Sequence, residues 1–183
     1  MLKTIMKVFK GVMIGCAFSM LAGSSASSTT LSQLGLGYGK EFRGNKDISQ
    51  FELYYRHPLS YKKKLGDVWN LSTALEFGGA VIDEQDSENS STGRLSLMPQ
   101  IMLSPNDAIN VIVGIGTGFM MGETEFTDHN LGGPFFFSSK VGFQLVLGKH
   151  LGLEYNFYHQ SNAGIYDYNA SLNMHCVSLS YQF

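Results

Sequence analysis

Alternation of apolar and polar residues is the feature that most constrains how this chain folds. In the segment VWNLSTALEF, Trp69, Leu71 and Phe77 share one face, while Asn70 and Glu76 take the other. Successive side chains of a β-strand point to opposite sides, so a period of two predicts a strand. Seven further segments complete a set of eight: LGLGYGKEF, ISQFELYYR, RLSLMPQIML, INVIVGIGTGF, FFFSSKVGFQLVL, HLGLEYNFYHQ and NMHCVSLSYQF.

The lengths of these segments and of their connections predict a membrane barrel. Roughly nine to twelve residues match a tilted membrane-spanning strand. Short turns (SPND, LGKH) interleave with long polar loops (IDEQDSENSSTG, GETEFTDHNLGG), and the chain ends in the aromatic residues Tyr181 and Phe183. This pattern is typical of outer-membrane barrels. We predict an all-β fold, an eight-stranded antiparallel transmembrane β-barrel of the bacterial outer membrane.

The composition of the strands' other face, opposite the apolar residues, indicates which side of the sheet meets lipid. It is rich in glycine and carries five charged residues, namely Glu52, Glu76, Arg94, Lys140 and Glu154. The interior of an eight-stranded barrel is just wide enough to be filled by side chains, where such charges can pair. We therefore expect the apolar face to point outward. The alternative is a soluble, lipocalin-like barrel with its apolar face inside.

The N-terminus predicts secretion. Residues 1–26 combine three lysines, the apolar run VMIGCAFSMLAG and small residues before Ala26, which indicates a signal peptide cleaved after Ala26. A lipoprotein site at Cys16 is the less favoured alternative. The barrel domain is then 27–183.

Removing three of the thirteen basic residues leaves ten against fifteen acids, which argues against a nucleic-acid-binding face. Only Cys176 remains, so no intrachain disulfide can form.

One polar stretch, YHQSNAGIYDYNASLN, interrupts the apolar wall. Counting by twos places His159 and Ser161 on the apolar face of the seventh segment, and Asn173 on that of the eighth. A serine hydroxyl becomes a nucleophile when a base accepts its proton, and a third group usually orients that base. Asn173 could accept a hydrogen bond from the imidazole. The Gly164 N–H and the Asn169 amide could hold an oxyanion. Alternatively, these polar groups only mark the headgroup boundary.

Other candidate residues fit less well. His175 shares the face of Asn173 but is expected one step deeper than Ser161 and on the other strand. Cys176 should point into the barrel as an inert buried thiol. His57, His129 and His150 are expected in solvated turns or loops.

The motif resembles that of the PagL-type lipid A 3-O-deacylases of the outer membrane. The resemblance rests on the family's His-x-Ser-Asn motif, an asparagine eight residues after the serine, and a third catalytic position twelve after it, for which this chain supplies His159, Ser161, Asn162, Asn169 and Asn173. The best-studied pattern has glutamate at the last position.

The resemblance implies a serine esterase acting on the lipid side of the barrel. Ser161 would attack the ester-linked 3-hydroxyacyl chain of lipid A, with His159 as base and Asn173 orienting it. Gly164 and Asn169, supported by Asn162, would bind the oxyanion. The resemblance implies neither a cofactor nor a metal. It implies that the substrate is lipopolysaccharide and that the barrel is surrounded by outer-membrane lipid, and it leaves open whether the chain forms a homodimer. The alternatives are a non-enzymatic small barrel, structural or adhesive, and a relative that binds lipopolysaccharide without cleaving it.

Overall fold

The computed structural model describes residues 31–43, 47–84, 91–127 and 129–183. Within these ranges no helix is long and apolar enough to cross a membrane. The ten strands are β1 (Gln33–Glu41), β2 (Ile48–Leu65), β3 (Trp69–Glu84), β4 (Ser91–Asn106), β5 (Ile109–Met121), β6 (Glu125–Phe126), β7 (His129–Asn130), β8 (Phe135–Leu147), β9 (Leu151–Ser161) and β10 (Leu172–Gln182). The predicted signal peptide, residues 1–26, lies outside the described residues and stays a prediction.

Eight of these strands close into one antiparallel barrel, in the order β1-β10-β9-β8-β5-β4-β3-β2. β6 and β7 pair separately as a small hairpin inside the predicted loop GETEFTDHNLGG. The predicted fold class is therefore confirmed. The main difference concerns β2, which runs to Leu65 although the predicted segment ended at Arg56, because Lys62 to Leu65 pair with Trp69 to Ser72 on β3.

The two ends of the barrel differ in their connections. At one end β2–β3, β4–β5 and β8–β9 are joined by turns of two or three residues, and we call this the turn end. At the other end, the loop end, the connections are longer, and two of them are the segments 122–134 and 162–171. This alternation is the one predicted from the sequence.

The outer wall is apolar and the lumen is packed. On β9, Leu151, Leu153 and Tyr155 are exposed while Gly152 and Glu154 between them are buried. The same alternation holds on β4 and β10. Because the apolar set lies outside, the lipocalin-like alternative with an apolar interior is wrong. Exposed apolar strands of this kind are stable when they face lipid.

Buried ion pairs occupy the middle of the lumen. Glu76 binds Lys140 at 2.6 Å and Arg56 at 2.7 Å, and Arg56 also binds Glu154 at 2.8 Å. Arg94 pairs with Glu52 at 3.2 Å. The five charged residues predicted to pair inside do so. Arg56 was not among them, although it lies four residues from Glu52 and so shares its face. Apolar residues, including four methionines, fill the space on either side of the ion pairs.

The strand register tilts the strands and sets the depth of each residue. A row of directly paired residues can be followed once around the barrel from Ser161, and it returns to β9 at Leu151, ten residues nearer the turn end. The residues in between are Phe137, Thr117, Leu97, Phe77, Tyr55, Leu34 and Tyr181. With about 3.3 Å per residue and about 4.8 Å between strands, the strands tilt by about 40°. The row descends by about 3 Å per strand, so Thr117 lies deeper than Ser161.

Candidate active site

A histidine and an asparagine face each other on the outer wall at the loop end. His159 on β9 is the direct cross-strand partner of Asn173 on β10. His159 Nδ1 lies 2.8 Å from Asn173 Oδ1. A carboxamide oxygen only accepts hydrogen bonds, so Nδ1 carries the proton and Nε2 keeps its lone pair. The imidazole is half-buried, and its free nitrogen is a base.

Ser161 is two residues further along the same face of β9. It is the last residue of the strand, half-buried, and pairs across the sheet with Phe137 on β8. Residues i and i+2 of a strand are about 6.6 Å apart along its axis. In the described part of the chain no hydrogen bond joins Ser161 to His159. The register thus brings the hydroxyl and the imidazole next to each other without linking them directly.

Residues near the end of β1 hold the backbone of Asn173 in place. The Asn173 N–H donates to the Glu41 carboxylate, and the Phe42 N–H donates to the Asn173 carbonyl at 3.2 Å. Only 2% of Asn173 is exposed. Glu41 was missed from the sequence, because a closed barrel makes β1 and β10 neighbours but does not give the register between them.

Asn162, predicted to support an oxyanion site, ties two loops together. Its side-chain nitrogen donates to the carbonyls of Leu131 at 2.8 Å and Tyr168 at 2.6 Å. Its backbone N–H donates to Asn169 Oδ1 at 2.9 Å. The segment 162–171 is thereby fixed against the loop that contains β6 and β7.

The two predicted oxyanion donors differ in their availability. The Gly164 N–H already donates to Asn162 Oδ1 at 2.8 Å, so it reaches an oxyanion only by sharing or leaving that bond. Asn169 is exposed and uses its oxygen for Asn162, which leaves its side-chain nitrogen free of acceptors among the residues described. Ala163, directly before Gly164, has a positive φ of 55°, and among the residues described its N–H has no acceptor. Ala163 is a donor that the sequence did not single out.

The other histidines and the cysteine are engaged elsewhere. His175 is exposed on the wall, 2.7 Å from the Tyr155 hydroxyl. Cys176 points inward and is buried, as predicted. His57 lies within β2 and is exposed, but it is not in a turn. The expectation that His129 is solvated is wrong, because only 7% of it is exposed and its Nε2 lies 4.0 Å from the Glu41 carboxylate. His150 is half-buried against the Gln182 carbonyl.

An apolar groove of about 360 Å³ crosses the wall close to this site. Thr117, the small residue of the outward row on β5, forms its floor between the larger side chains of Leu97 and Phe119. Phe135 lines the groove and packs edge-to-face on Phe137, the cross-strand partner of Ser161. The groove therefore lies on the same wall two strands from Ser161, with Phe137 between Ser161 and Thr117.

No metal site is apparent in the described ranges, where no three His, Cys, Asp or Glu side chains are grouped to hold an ion. The chemistry available from the residues present is that of a hydroxyl, an imidazole, an amide and nearby N–H donors. This set is suited to acyl transfer.

Solved structures resemble the whole barrel. The structure described as that of the outer membrane enzyme PagL matches with a TM-score of 0.70 and 18% sequence identity, covering 82% of this chain and 99% of that chain. A structure from the de novo design of transmembrane β-barrels matches with a TM-score of 0.58 and 11% identity, covering 87% of this chain and all of that chain. At these identities the likeness concerns the fold. A search of curated protein sequences found no match.

The comparison with protein families extends over most of the barrel. The family described as lipid A 3-O-deacylase (PagL) matches residues 49–182, from the start of β2 to the end of β10. The match includes the motif at His159 and Ser161, the loop with Asn162 and Asn169, and Asn173. This chain therefore belongs to the PagL family of lipid A 3-O-deacylases.

Proposed function

We propose that this chain hydrolyses the ester that links the 3-hydroxyacyl chain to position 3 of lipid A, with Ser161 as the nucleophile and His159 as its base. The observation that carries the proposal is the 2.8 Å hydrogen bond between His159 Nδ1 and Asn173 Oδ1, on the wall that also bears Ser161. That bond selects the tautomer whose Nε2 can accept a proton.

The reaction proceeds in two steps. Ser161 Oγ attacks the ester carbonyl while its proton passes to His159 Nε2, and the tetrahedral intermediate expels the sugar oxygen, which takes that proton. Water then attacks the acyl-enzyme with His159 again as base, and this releases the 3-hydroxy fatty acid and restores Ser161. The Asn169 side-chain nitrogen and the N–H groups of Ala163 and Gly164 are the donors proposed for the oxyanion.

The chain is a barrel of the outer membrane, and the position of the site on it suits a lipid substrate. On one side of Ser161 the paired row runs through Phe137 and Thr117, deeper into the apolar wall. On its other side stands the polar loop 162–171. Acyl esters of lipid A lie at a boundary of this kind, so we propose that the loop end faces the outer leaflet, where lipopolysaccharide is found.

The groove over Thr117 is the place proposed for the acyl chain. It begins near the cross-strand partner of Ser161 and descends with the strand tilt, so a chain whose ester reaches Ser161 can follow it into the bilayer. Its lining is almost wholly apolar. Because the acyl chain already lies in the apolar bilayer, the groove would contribute van der Waals packing and not a free energy of transfer from water.

Mass spectrometry of lipid A tests the proposal. The chain is expressed in a heterologous Gram-negative host whose lipid A keeps its 3-O-acyl groups, and membrane insertion is verified by the mobility of the unheated barrel on gels. Loss of one 3-hydroxyacyl mass is the expected result. Unchanged lipid A in a sample with a folded, inserted barrel contradicts hydrolysis.

A second candidate function is binding of lipopolysaccharide without cleavage. Two observations favour it: an asparagine stands where the family pattern has glutamate, and the Gly164 N–H is already bonded to Asn162. Unchanged lipid A together with saturable binding of purified lipopolysaccharide would support this candidate. Unchanged lipid A with no binding would support a structural barrel.

A further inference from the structure

The side chain of Asn173 has almost no freedom except the choice of which end of its amide faces His159. Its backbone is bonded on both sides, by the Glu41 carboxylate and by the Phe42 N–H, and the residue is buried. An amide has an accepting oxygen and a donating nitrogen of nearly equal size. Packing alone therefore does not distinguish the two orientations, and hydrogen-bond partners must.

Ser171 supplies those partners. Asn173 Nδ2 lies 3.0 Å from Ser171 Oγ and 3.4 Å from the Ser171 carbonyl oxygen. The carbonyl can only accept, so it favours the nitrogen at this end of the amide. The hydroxyl can donate or accept; here it accepts a second hydrogen from the same nitrogen and holds the amide against the carbonyl. With the nitrogen held by Ser171, the Asn173 oxygen is left facing His159.

The orientation decides whether His159 can act as a base towards Ser161. In the observed orientation Nδ1 is protonated and Nε2 is free. In the reverse orientation the amide N–H would face Nδ1 and stabilise the tautomer with its proton on Nε2, which cannot accept the proton of Ser161. We propose that Ser171 is a positioning residue that selects the reactive tautomer of His159 through Asn173. This inference rests on the proposed function of the site.

The role of Ser171 follows from the asparagine. A carboxylate at position 173 presents an accepting oxygen in either orientation, so it needs no selection. Removing the Ser171 hydroxyl should therefore matter in this chain and should cease to matter once Asn173 is replaced by Asp, which has the same shape. This difference separates selection of an orientation from general support of the loop.

The test is a double-mutant cycle measured on purified lipopolysaccharide in detergent micelles. Ser171→Ala should lower kcat by about three- to tenfold with KM unchanged, since only the 3.4 Å contact with the carbonyl would then hold the amide in the observed orientation. Ser171→Thr, which keeps a hydroxyl, should restore kcat. In the Asn173→Asp background, Ser171→Ala should change kcat by less than about twofold. Equal losses in both backgrounds, or no loss in either, would overturn the proposal.

A second measurement does not depend on activity. The ¹⁵N chemical shifts of the His159 ring in detergent micelles report which nitrogen carries the proton. We expect the Nδ1–H tautomer in the unmodified chain and a shift towards Nε2–H in Ser171→Ala. An unchanged tautomer would refute the role of Ser171 even if the chain proves to be a deacylase. If the tautomer changes in a protein that leaves lipid A intact, the role of Ser171 stands and only the proposed function is refuted.

Discussion

His159 and Asn173 lie directly opposite each other on neighbouring strands and share a 2.8 Å hydrogen bond on the outside of a closed barrel. Imidazole and carboxamide groups are costly on a wall that faces lipid, and they become less costly near the interface. Here the two groups satisfy each other, and the same bond leaves one imidazole nitrogen free. An arrangement that only marked the headgroup boundary would not require this pairing.

The first prediction concerns the residue opposite His159. Asn173→Ala should lower kcat by about a hundredfold, because the imidazole loses the acceptor that selects its tautomer. Asn173→Glu should retain or increase activity, since a carboxylate orients the ring and also stabilises the imidazolium. Release of 3-hydroxy fatty acid from lipopolysaccharide measures both. Loss of activity in a correctly folded Asn173→Glu barrel would remove Asn173 from this role.

The second prediction concerns the two groups that carry out the chemistry. Ser161→Ala and His159→Ala should each lower the rate of deacylation by about a thousandfold or more, as loss of a nucleophile or base does in other serine hydrolases. Ser60→Ala and His57→Ala are matched controls, because both residues are exposed on β2 far from the site. The mass spectrum of lipid A gives the result. Hydrolysis that survives Ser161→Ala would exclude the proposed nucleophile.

The third prediction concerns the loop that contains the oxyanion donors. A Cβ at Gly132, where φ is +80°, would meet the Tyr168 carbonyl and, at 2.8 Å, the side-chain nitrogen of Asn162. Gly132→Ala should displace segment 162–171 and lower kcat on the order of tenfold or more, since small misplacements are costly to catalysis. Kinetics on purified protein measures the change.

Gly148→Ala is the control for this substitution. Gly148 also has a positive φ, +69°, but a Cβ there would meet nothing within 4 Å. It shares the backbone strain of Gly132 without the crowding, at the turn end of the barrel. Equal effects of the two variants would mean that strain, and not the position of the loop, is responsible.

The fourth prediction concerns the groove. Thr117→Phe should fill its floor and lower kcat/KM on the order of tenfold for lipid A with long acyl chains, with a smaller effect on short chains. Val113→Phe is the matched control, because Val113 is exposed on the same face of β5 and does not line the groove. Assays with substrates of different chain length measure the difference. Equal sensitivity to the two substitutions would mean that the acyl chain does not lie there.

The fifth prediction concerns the lumen and the stability of the barrel. Glu76→Gln leaves Arg56 and Lys140 with fewer buried counter-charges, and should lower the free energy of unfolding by about 3 kcal/mol or more. Glu123→Gln, in the exposed loop after β5, should change it by less than about 0.5 kcal/mol. Urea unfolding in lipid vesicles compares them. If the two variants unfold alike, the ion pairs contribute little to the stability of the barrel.

Side-chain direction in a strand follows from counting residues, and for this reason much of the site was predictable. Counting residues by twos placed His159, Ser161 and Asn173 on one face of the sheet, and it placed Cys176 on the other. Counting does not give the residue that each residue pairs with on the neighbouring strand. That register depends on contacts distant in sequence and is poorly specified in glycine-rich strands. The contact of Asn173 with Glu41 was therefore not predictable. The bonds of Asn173 to Ser171 and of the Gly164 N–H to Asn162 join residues two apart. An asparagine that bonds the backbone two residues on is a local turn motif, so the sequence did carry a signal for the second of them.

By itself the sequence determined that this chain forms eight alternating strands, that the apolar face is continuous, and that a histidine, a serine and an asparagine interrupt it near one end. The reason is local, since each property depends on residues two apart. The sequence also placed Asn173 on the strand next to His159, but only the tertiary structure decided the register that sets the two residues directly opposite each other, that the end of β1 holds Asn173 in place, and that Arg56 joins the buried charges. These facts depend on which strands become neighbours, and the tertiary structure settles that through pairing over the whole length of the chain.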